Sequence, residues 1–311
     1  MVILQTLVKP IRPRLISPPK HKSSSEGSAK LKPPSTISEK VEVQEHQICD
    51  VYVYEMTAKL PAGIKYRPKH DLYYFAGGSF VMPASKEHWT ICAELARELP
   101  EYRIHIVGYP LAPKNRAAQS LPILRKLAVE LCKKADKQNR NVTFAGDSSG
   151  GNIAMSLGLF TADEAIKEGD RRTQLKNILL ISPAVDLRNR NPAITTTNRR
   201  DPVMTEKHIK WVADQWVGDG ITADDPAVSP ILANLTSLRT LGIKVHGIIG
   251  TYDVLAPDTI AFRQRLEEFG VGGEWLEWEK QMHCFPLAYT YHLRDAVQGK
   301  NWILDILRDH A

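Results

Sequence analysis

A mostly parallel, twisted β-sheet with helices on both faces is the fold predicted by this 311-residue sequence. Two observations carry that expectation. From Asp50 onward, short β-branched and aromatic runs alternate with longer amphipathic stretches, as repeated strand–helix–strand units require. One run, Val142–Ala145, opens into a glycine-flanked turn and then a helical pattern, and sheets of this kind gather their chemistry at the carboxyl ends of strands. A composition of 43% hydrophobic and 24% charged residues is that of an ordinary globular chain long enough for a sizeable core.

The first 45 residues read differently. Eight Lys/Arg stand against Glu26 and Glu39 in residues 1–40, so the whole +6 net charge resides there and the remainder is formally neutral. This stretch, rich in Pro, Ser and Lys, buries too little apolar surface to offset its ordering entropy, and a flexible basic arm is expected over 1–45. A nucleic-acid footprint spread over a folded surface is not supported. The apolar opening Met1–Val8 has neither a basic leader nor a small-residue cleavage site, and no apolar run approaches ~20 residues, so a cytoplasmic protein without an integral membrane segment is expected. Cys49, Cys92, Cys132 and Cys284 are scattered, without metal-ligand or disulfide-framework spacing.

In chain order, strands are expected at Asp50–Met56, Leu72–Ala76, Arg103–Val107, Val142–Ala145, Asn177–Ile181, Lys244–Ile249 and Glu274–Trp278. Helical patterns lie at Ser85–Leu99, Ala118–Asp136, Asn152–Phe160, Glu206–Trp216, Asp258–Phe269 and Ala288–Arg308. Trp275 and Trp278, three apart, belong on opposite faces of an ideal strand. Trp211 and Trp216 on a helix suit either a pocket or the core.

The strongest local signal is Gly146-Asp147-Ser148-Ser149-Gly150. A nucleophilic serine must sit on a sharp strand-to-helix elbow, and small flanking residues permit that approach. A hydroxyl needs a base, and the base an acid to fix its tautomer. Later strands supply both in the order Ser, acid, His: Asp253 follows Lys244–Ile249, and His283 follows Glu274–Trp278, with Asp258 an alternative acid. Donors for a developing oxyanion are expected from the backbone of Gly77 and Gly78, after strand Leu72–Ala76, and of Ser149. Ser148 at the elbow without a lysine rules out a phosphate-binding loop, and neither cofactor nor metal is expected.

With these blocks in place, residues 50–295 resemble the hormone-sensitive-lipase-like branch of the α/β-hydrolases, more particularly fungal members related to steryl acetyl hydrolases and secondary-metabolite-cluster hydrolases. The resemblance rests on Gly146 to Gly151, Tyr109-Pro110-Leu111-Ala112-Pro113, Asp225-Pro226-Ala227-Val228-Ser229-Pro230, Gly250 to Asp258, and His283-Cys284-Phe285. It implies a Ser148–His283–Asp253 triad with Gly77, Gly78 and Ser149 as oxyanion donors. It also implies an α/β-hydrolase domain over 46–311 and a small helical cap built from the N-terminal region and an insertion at about 189–221. Two departures stand out. Ala76 and Ser79 replace the first and last residues of the family's His-Gly-Gly-Gly loop, and Pro110 and Lys114 replace an Arg–Glu pair, so a differently supported loop is expected. The implied partner is a small, fairly apolar carboxylic ester, such as an acetylated natural product. Two readings stay open beside hydrolysis: lactonisation, acyl transfer or cyclisation through the same acyl-enzyme, and a non-catalytic binding protein on this fold.

Overall fold

The computed structural model describes residues 9, 26–39, 41–59, 68–170 and 172–310. Eight strands form one sheet: β1 (Val41–Ile48), β2 (Val51–Ala58), β3 (His70–Phe75), β4 (Tyr102–Gly108), β5 (Asn141–Asp147), β6 (Leu175–Ile181), β7 (Lys244–Gly250) and β8 (Trp275–Trp278). Their spatial order is β1-β2-β4-β3-β5-β6-β7-β8. The β1–β2 and β2–β4 pairs are antiparallel, and every pair from β4–β3 through to β7–β8 is parallel. From β3 the chain crosses one way to β4 and then back over it to β5, so the strand order reverses around β3. The loops leaving β3 and β5 therefore open side by side at the crevice where such sheets bind ligands.

The main helices are α1 (Lys86–Glu98), α2 (Ala117–Lys137), α3 (Ser148–Lys167), α4 (Ala193–Asn198), α5 (Glu206–Val217), α6 (Thr236–Leu241), α7 (Ala256–Glu268) and α8 (Arg294–Asp309). Strand alternation sends side chains to two cores. Tyr73, Phe75, Val142, Phe144, Ile178 and Leu180 meet α2, α3 and α7 on one face; Leu72, Tyr74, Ala145, Leu179 and Ile181 meet α1 and α8 on the other. Covered on both faces, the central strands need no polar alternation. Trp275 packs towards the first core and Trp278 towards the second, as their spacing requires. Trp216 lies fully buried in the core, stacked on Phe80.

Several boundaries differ from the sequence expectation. The strand expected from Asp50 begins at Val51 and is preceded by β1, which the sequence reading assigned largely to the arm. Residues 26–39 also lie against the body: Ala29 N–H donates to Gly108 O at 2.9 Å, Leu31 N–H donates to the Tyr54 hydroxyl at 2.9 Å, and Ile37 is buried. The expectation of a flexible arm at 1–8 and 10–25 lies outside the described residues. Helix α3 starts at Ser148 itself and runs to Lys167, because burial against both β5 and β6 overrides the low helix propensity of its glycines. The expected helix Ala288–Arg308 is a 3₁₀ turn, Phe285–Tyr291, and then α8, separated at His292 by a left-handed residue.

At the amino ends of the strands, away from the crevice, Asp71 on β3 receives Arg103 Nε at 2.6 Å and Arg140 Nε at 3.1 Å. Burial opposes its charge, but His105 and Arg103 outweigh it and hold the carboxyl far below the usual range.

Candidate active site

The site is built on the carboxyl ends of β3, β5, β6, β7 and β8. Asp147 ends β5 and Ser148 begins α3 with φ +51, a left-handed conformation for a residue with a side chain. Such strain persists only where the surroundings enforce it. Here they do: a Cβ at Gly146 or Gly150 would collide with the Phe75 carbonyl, so only glycine lets the elbow close against β3. Ser148 is buried and lines a pocket with Ser79, Ser149, Met204, Ile209, Val212 and Leu255. Among the described residues, no hydrogen bond involves its Oγ.

The turn after β7 brings Asp253 into a fully buried position. Its Oδ1 accepts the Leu255 N–H at 2.9 Å, and its Oδ2 lies 2.7 Å from His283 Nδ1. The histidine is fixed by its neighbour: Cys284 is left-handed (φ +50), and its N–H donates to Ser182 Oγ at 3.0 Å. Burial disfavours a charged ring at His283, yet the Asp253 carboxylate outweighs it and raises the affinity for a proton well above that of a free imidazole. With Nδ1–H donated to Asp253, Nε2 is left as the acceptor. The structure thus joins His283 to Asp253. The alternative acid, Asp258, sits in the first turn of α7, where burial and then Asp186 push its carboxyl up to about 6, and it makes no bond to His283.

The loop after β3 departs from expectation at one amide. Gly77 N–H, expected to face substrate, donates to Asp147 Oδ1 at 2.8 Å. A proton shared with a buried carboxylate is not free for an oxyanion. Among the amides that follow, those of Gly78, Ser79 and Phe80 make no hydrogen bond among the described residues. Ser149 N–H lies in the first turn of α3, whose amides lack partners within the helix. The chain reverses at Gly78 (φ +138), and Ser79 and Phe80 follow at φ +58 and +59. Which of three successive amides points outward depends on these angles, which no sequence pattern states.

Asp147 is the hub that composition and spacing did not reveal. Besides Gly77, its Oδ1 accepts the Tyr74 hydroxyl at 2.8 Å; its Oδ2 lies 3.2 Å from His88 Nε2 and 3.6 Å from Cys284 Sγ. His88 Nδ1 accepts the Ser85 N–H at 2.9 Å, which places the ring proton on Nε2, facing the carboxylate. Burial opposes the Asp147 charge, but His88 and the donors from Gly77 and Tyr74 outweigh it and keep its pKa below the ordinary range. The imidazole absent at Ala76 is thereby supplied from α1. Tyr109 adds a second support, its hydroxyl donating to Ala76 O at 2.7 Å, and Ala112 N–H donates to Phe80 O at 2.9 Å. The Tyr109–Pro113 block thus holds the loop without the Arg–Glu pair. Burial pushes the Cys284 thiol up to about 12, so it stays protonated beside Asp147.

The insertion between β6 and β7 carries α4 and α5 over the pocket. Asp201, wholly buried, accepts the N–H groups of Val203 and Met204 on Oδ1 (2.7 and 2.8 Å) and that of Val254, next to Asp253, on Oδ2 (2.7 Å). Lys9 Nζ reaches Arg199 O at 2.8 Å. In the Asp225–Pro230 block, Val228 O accepts from Asn152 Nδ2 at 2.8 Å, and Ser229 Oγ accepts the Leu187 N–H at 3.0 Å, tying the insertion's end to the body.

Known proteins share this fold. Residues 72–287, more than half of the chain, match the family model described as the alpha/beta hydrolase fold. An esterase from Acinetobacter venetianus is 24% identical over 224 residues, covering 70% of this chain and 70% of that protein. The ethyl acetate hydrolase of Pseudomonas putida is 24% identical over 257 residues, covering 79% and 77%. Among solved structures, a hyperthermophilic esterase from the archaeon Pyrobaculum calidifontis superposes with a TM-score of 0.74 at 21% identity, covering 99% of this chain and 97% of that one. A hormone-sensitive lipase from a metagenome library gives 0.73 at 21% identity, covering 88% and 87%. The structural likenesses bear on the fold; the family match covers strand β3 through to the histidine-bearing loop. The chain belongs to the hormone-sensitive-lipase-like, esterase and lipase family of the alpha/beta hydrolase fold.

Proposed function

We propose that this hydrolase cleaves small, fairly apolar carboxylic esters through an acyl-enzyme on Ser148, with His283 as base and Asp253 as acid partner. The buried 2.7 Å contact between His283 Nδ1 and Asp253 Oδ2, on the same strand ends as the left-handed Ser148, is the observation that carries the reading. Ser148 Oγ attacks the ester carbonyl as its proton passes to His283 Nε2, and Asp253 stabilises the imidazolium. The carbonyl oxygen becomes an oxyanion held by the N–H groups of Gly78, Ser79 and Ser149 near the positive end of α3. His283 then protonates the departing alcohol. Water, deprotonated by the same nitrogen, releases the acid and regenerates the serine.

The apolar lining from Met204, Ile209, Val212 and Leu255 supports a small hydrophobic acyl or alcohol group, and the insertion at 189–221 serves as a cap over it. The ethyl acetate hydrolase relative supports a short acyl chain. The purified protein should hydrolyse p-nitrophenyl butyrate and take a fluorophosphonate label on Ser148, and Ser148→Ala should lose both. Undiminished turnover in that variant would remove the proposal.

A further inference from the structure

Two consecutive non-glycine residues of the oxyanion loop, Ser79 and Phe80, hold left-handed backbone angles, φ +58 and +59. Residues bearing a Cβ keep such angles only when something external fixes them. The backbone turn is closed by the Val81 and Met82 N–H groups on Gly78 O at 3.0 and 2.9 Å and by Ala112 N–H on Phe80 O at 2.9 Å, while the side chains of both left-handed residues are held by one helix of the insertion, α5. Ser79 Oγ lies 3.0 Å from His208 Nε2, and the Phe80 ring stacks on Trp216 with centroids 4.4 Å apart and planes 8° from parallel. The helix is itself anchored, since Thr205 Oγ1 accepts the His208 N–H at 2.9 Å and Asn198 Oδ1 accepts that of Glu206 at 3.0 Å.

We infer that α5 sets the shape of the oxyanion loop, with His208 a positioning residue that holds Ser79 in its left-handed conformation so that the Ser79 N–H faces the reacting carbonyl. The inference rests on the Ser148 reading above. Docking of the insertion and competence for acyl transfer are then one event: with α5 displaced, Ser79 relaxes and a donor turns away. The His208–Ser79 contact is one hydrogen bond in either neutral tautomer. Burial, and then the nearby His283, push the His208 pKa down to about 4, so the ring is neutral wherever His283 is free to act as a base. Glycine would take the same backbone angles unaided. Serine at this position therefore makes the loop dependent on the helix.

The experiment compares four proteins: the parent, His208→Ala, Ser79→Gly and the double variant, each assayed for kcat and KM on p-nitrophenyl butyrate. In the parent background His208→Ala should lower kcat about tenfold with KM changed less than twofold, short of the ~10²–10³ that follows deletion of a whole donor. In the Ser79→Gly background, measured against that variant's own activity, the same substitution should cost less than twofold. Equal losses in both backgrounds, or none in the first, would overturn the inference. His208→Gln, with an amide of similar reach, is run beside it against folding failure: it should recover most of the parent kcat in the serine background. Fluorophosphonate labelling of the parent separates the two levels. An unlabelled parent removes the Ser148 reading, whereas a labelled parent with equal losses removes only the role of α5.

Discussion

Replacing Asp147 by asparagine tests whether the residue beside the nucleophile organises the site. Its carboxylate serves four groups: Tyr74 and Gly77 on Oδ1, Cys284 on Oδ2, and His88 Nε2, which lies 3.2 Å from both oxygens. Asparagine keeps one carbonyl oxygen for the first pair but sets an NH₂ against the Nε2–H of His88. That ring cannot change tautomer freely, because its Nδ1 already accepts the Ser85 N–H. Breaking a buried pair costs about 3–5 kcal/mol, and with half the donors still served about 3 kcal/mol is expected. At ~2.1 cal/mol/K per residue the unfolding entropy of a chain this size is about 0.65 kcal/mol/K, so Tm should fall by about 5 °C. The Gly77 tether loosens with it and the donors at Gly78 and Ser79 lose their aim, which should lower kcat about 10²-fold. Calorimetry and p-nitrophenyl butyrate kinetics read the two effects separately. A Tm within about 1 °C of the parent and kcat within twofold would refute the argument. A lowered Tm with an unchanged kcat would confine the carboxylate to a structural role.

Two further outcomes concern pH. Because Asp253 raises the proton affinity of His283 against the opposing effect of burial, the acidic limb of kcat/KM should lie above the ~6.5 of a free imidazole; a limb below pH 6 contradicts that pairing. Burial, and then Asp253, push the Asp201 carboxyl up to about 6, above its unfolded value of ~3.9. A raised acid favours the folded state only while protonated, so the parent should lose about 2–3 kcal/mol of stability from this group as pH rises from 4 to 7. Asp201→Asn lacks that loss, so the stability difference between parent and variant in urea titrations should shift against the parent by that amount between pH 4 and 7. A constant difference would show that the carboxyl does not ionise in this window.

The central architecture was legible because the parallel strands inside the edge strand β8 are buried on both faces and read as nearly unbroken apolar runs, Asn177–Ile181 and Val142–Ala145 among them. The placement of Ser148, Asp253 and His283 at strand ends was legible because each lies within a short turn of a strand. Edge strand β1 was not, since Glu42, Glu45 and Gln47 among its valines leave it mostly exposed and close to the composition of the preceding arm. Helices α4 and α6, six residues each, are too short to show a period. Around the site, what escaped is what three dimensions alone define. The four partners of Asp147 come from three other segments of the chain, and Gly77 differs from Gly78 and Ser79 only in where a twisted loop aims its amide.

The position of β8 at the far edge of the sheet has a consequence for biosynthesis. The proposed nucleophile and oxyanion loop are encoded before residue 150, but the proposed general base follows a four-residue strand that, among the described residues, pairs with β7 alone. On the proposed mechanism, a nascent chain therefore carries its serine through much of the second half of translation before the base exists. On that mechanism turnover begins only when the last strand has joined, so ester hydrolysis reports on completed folding.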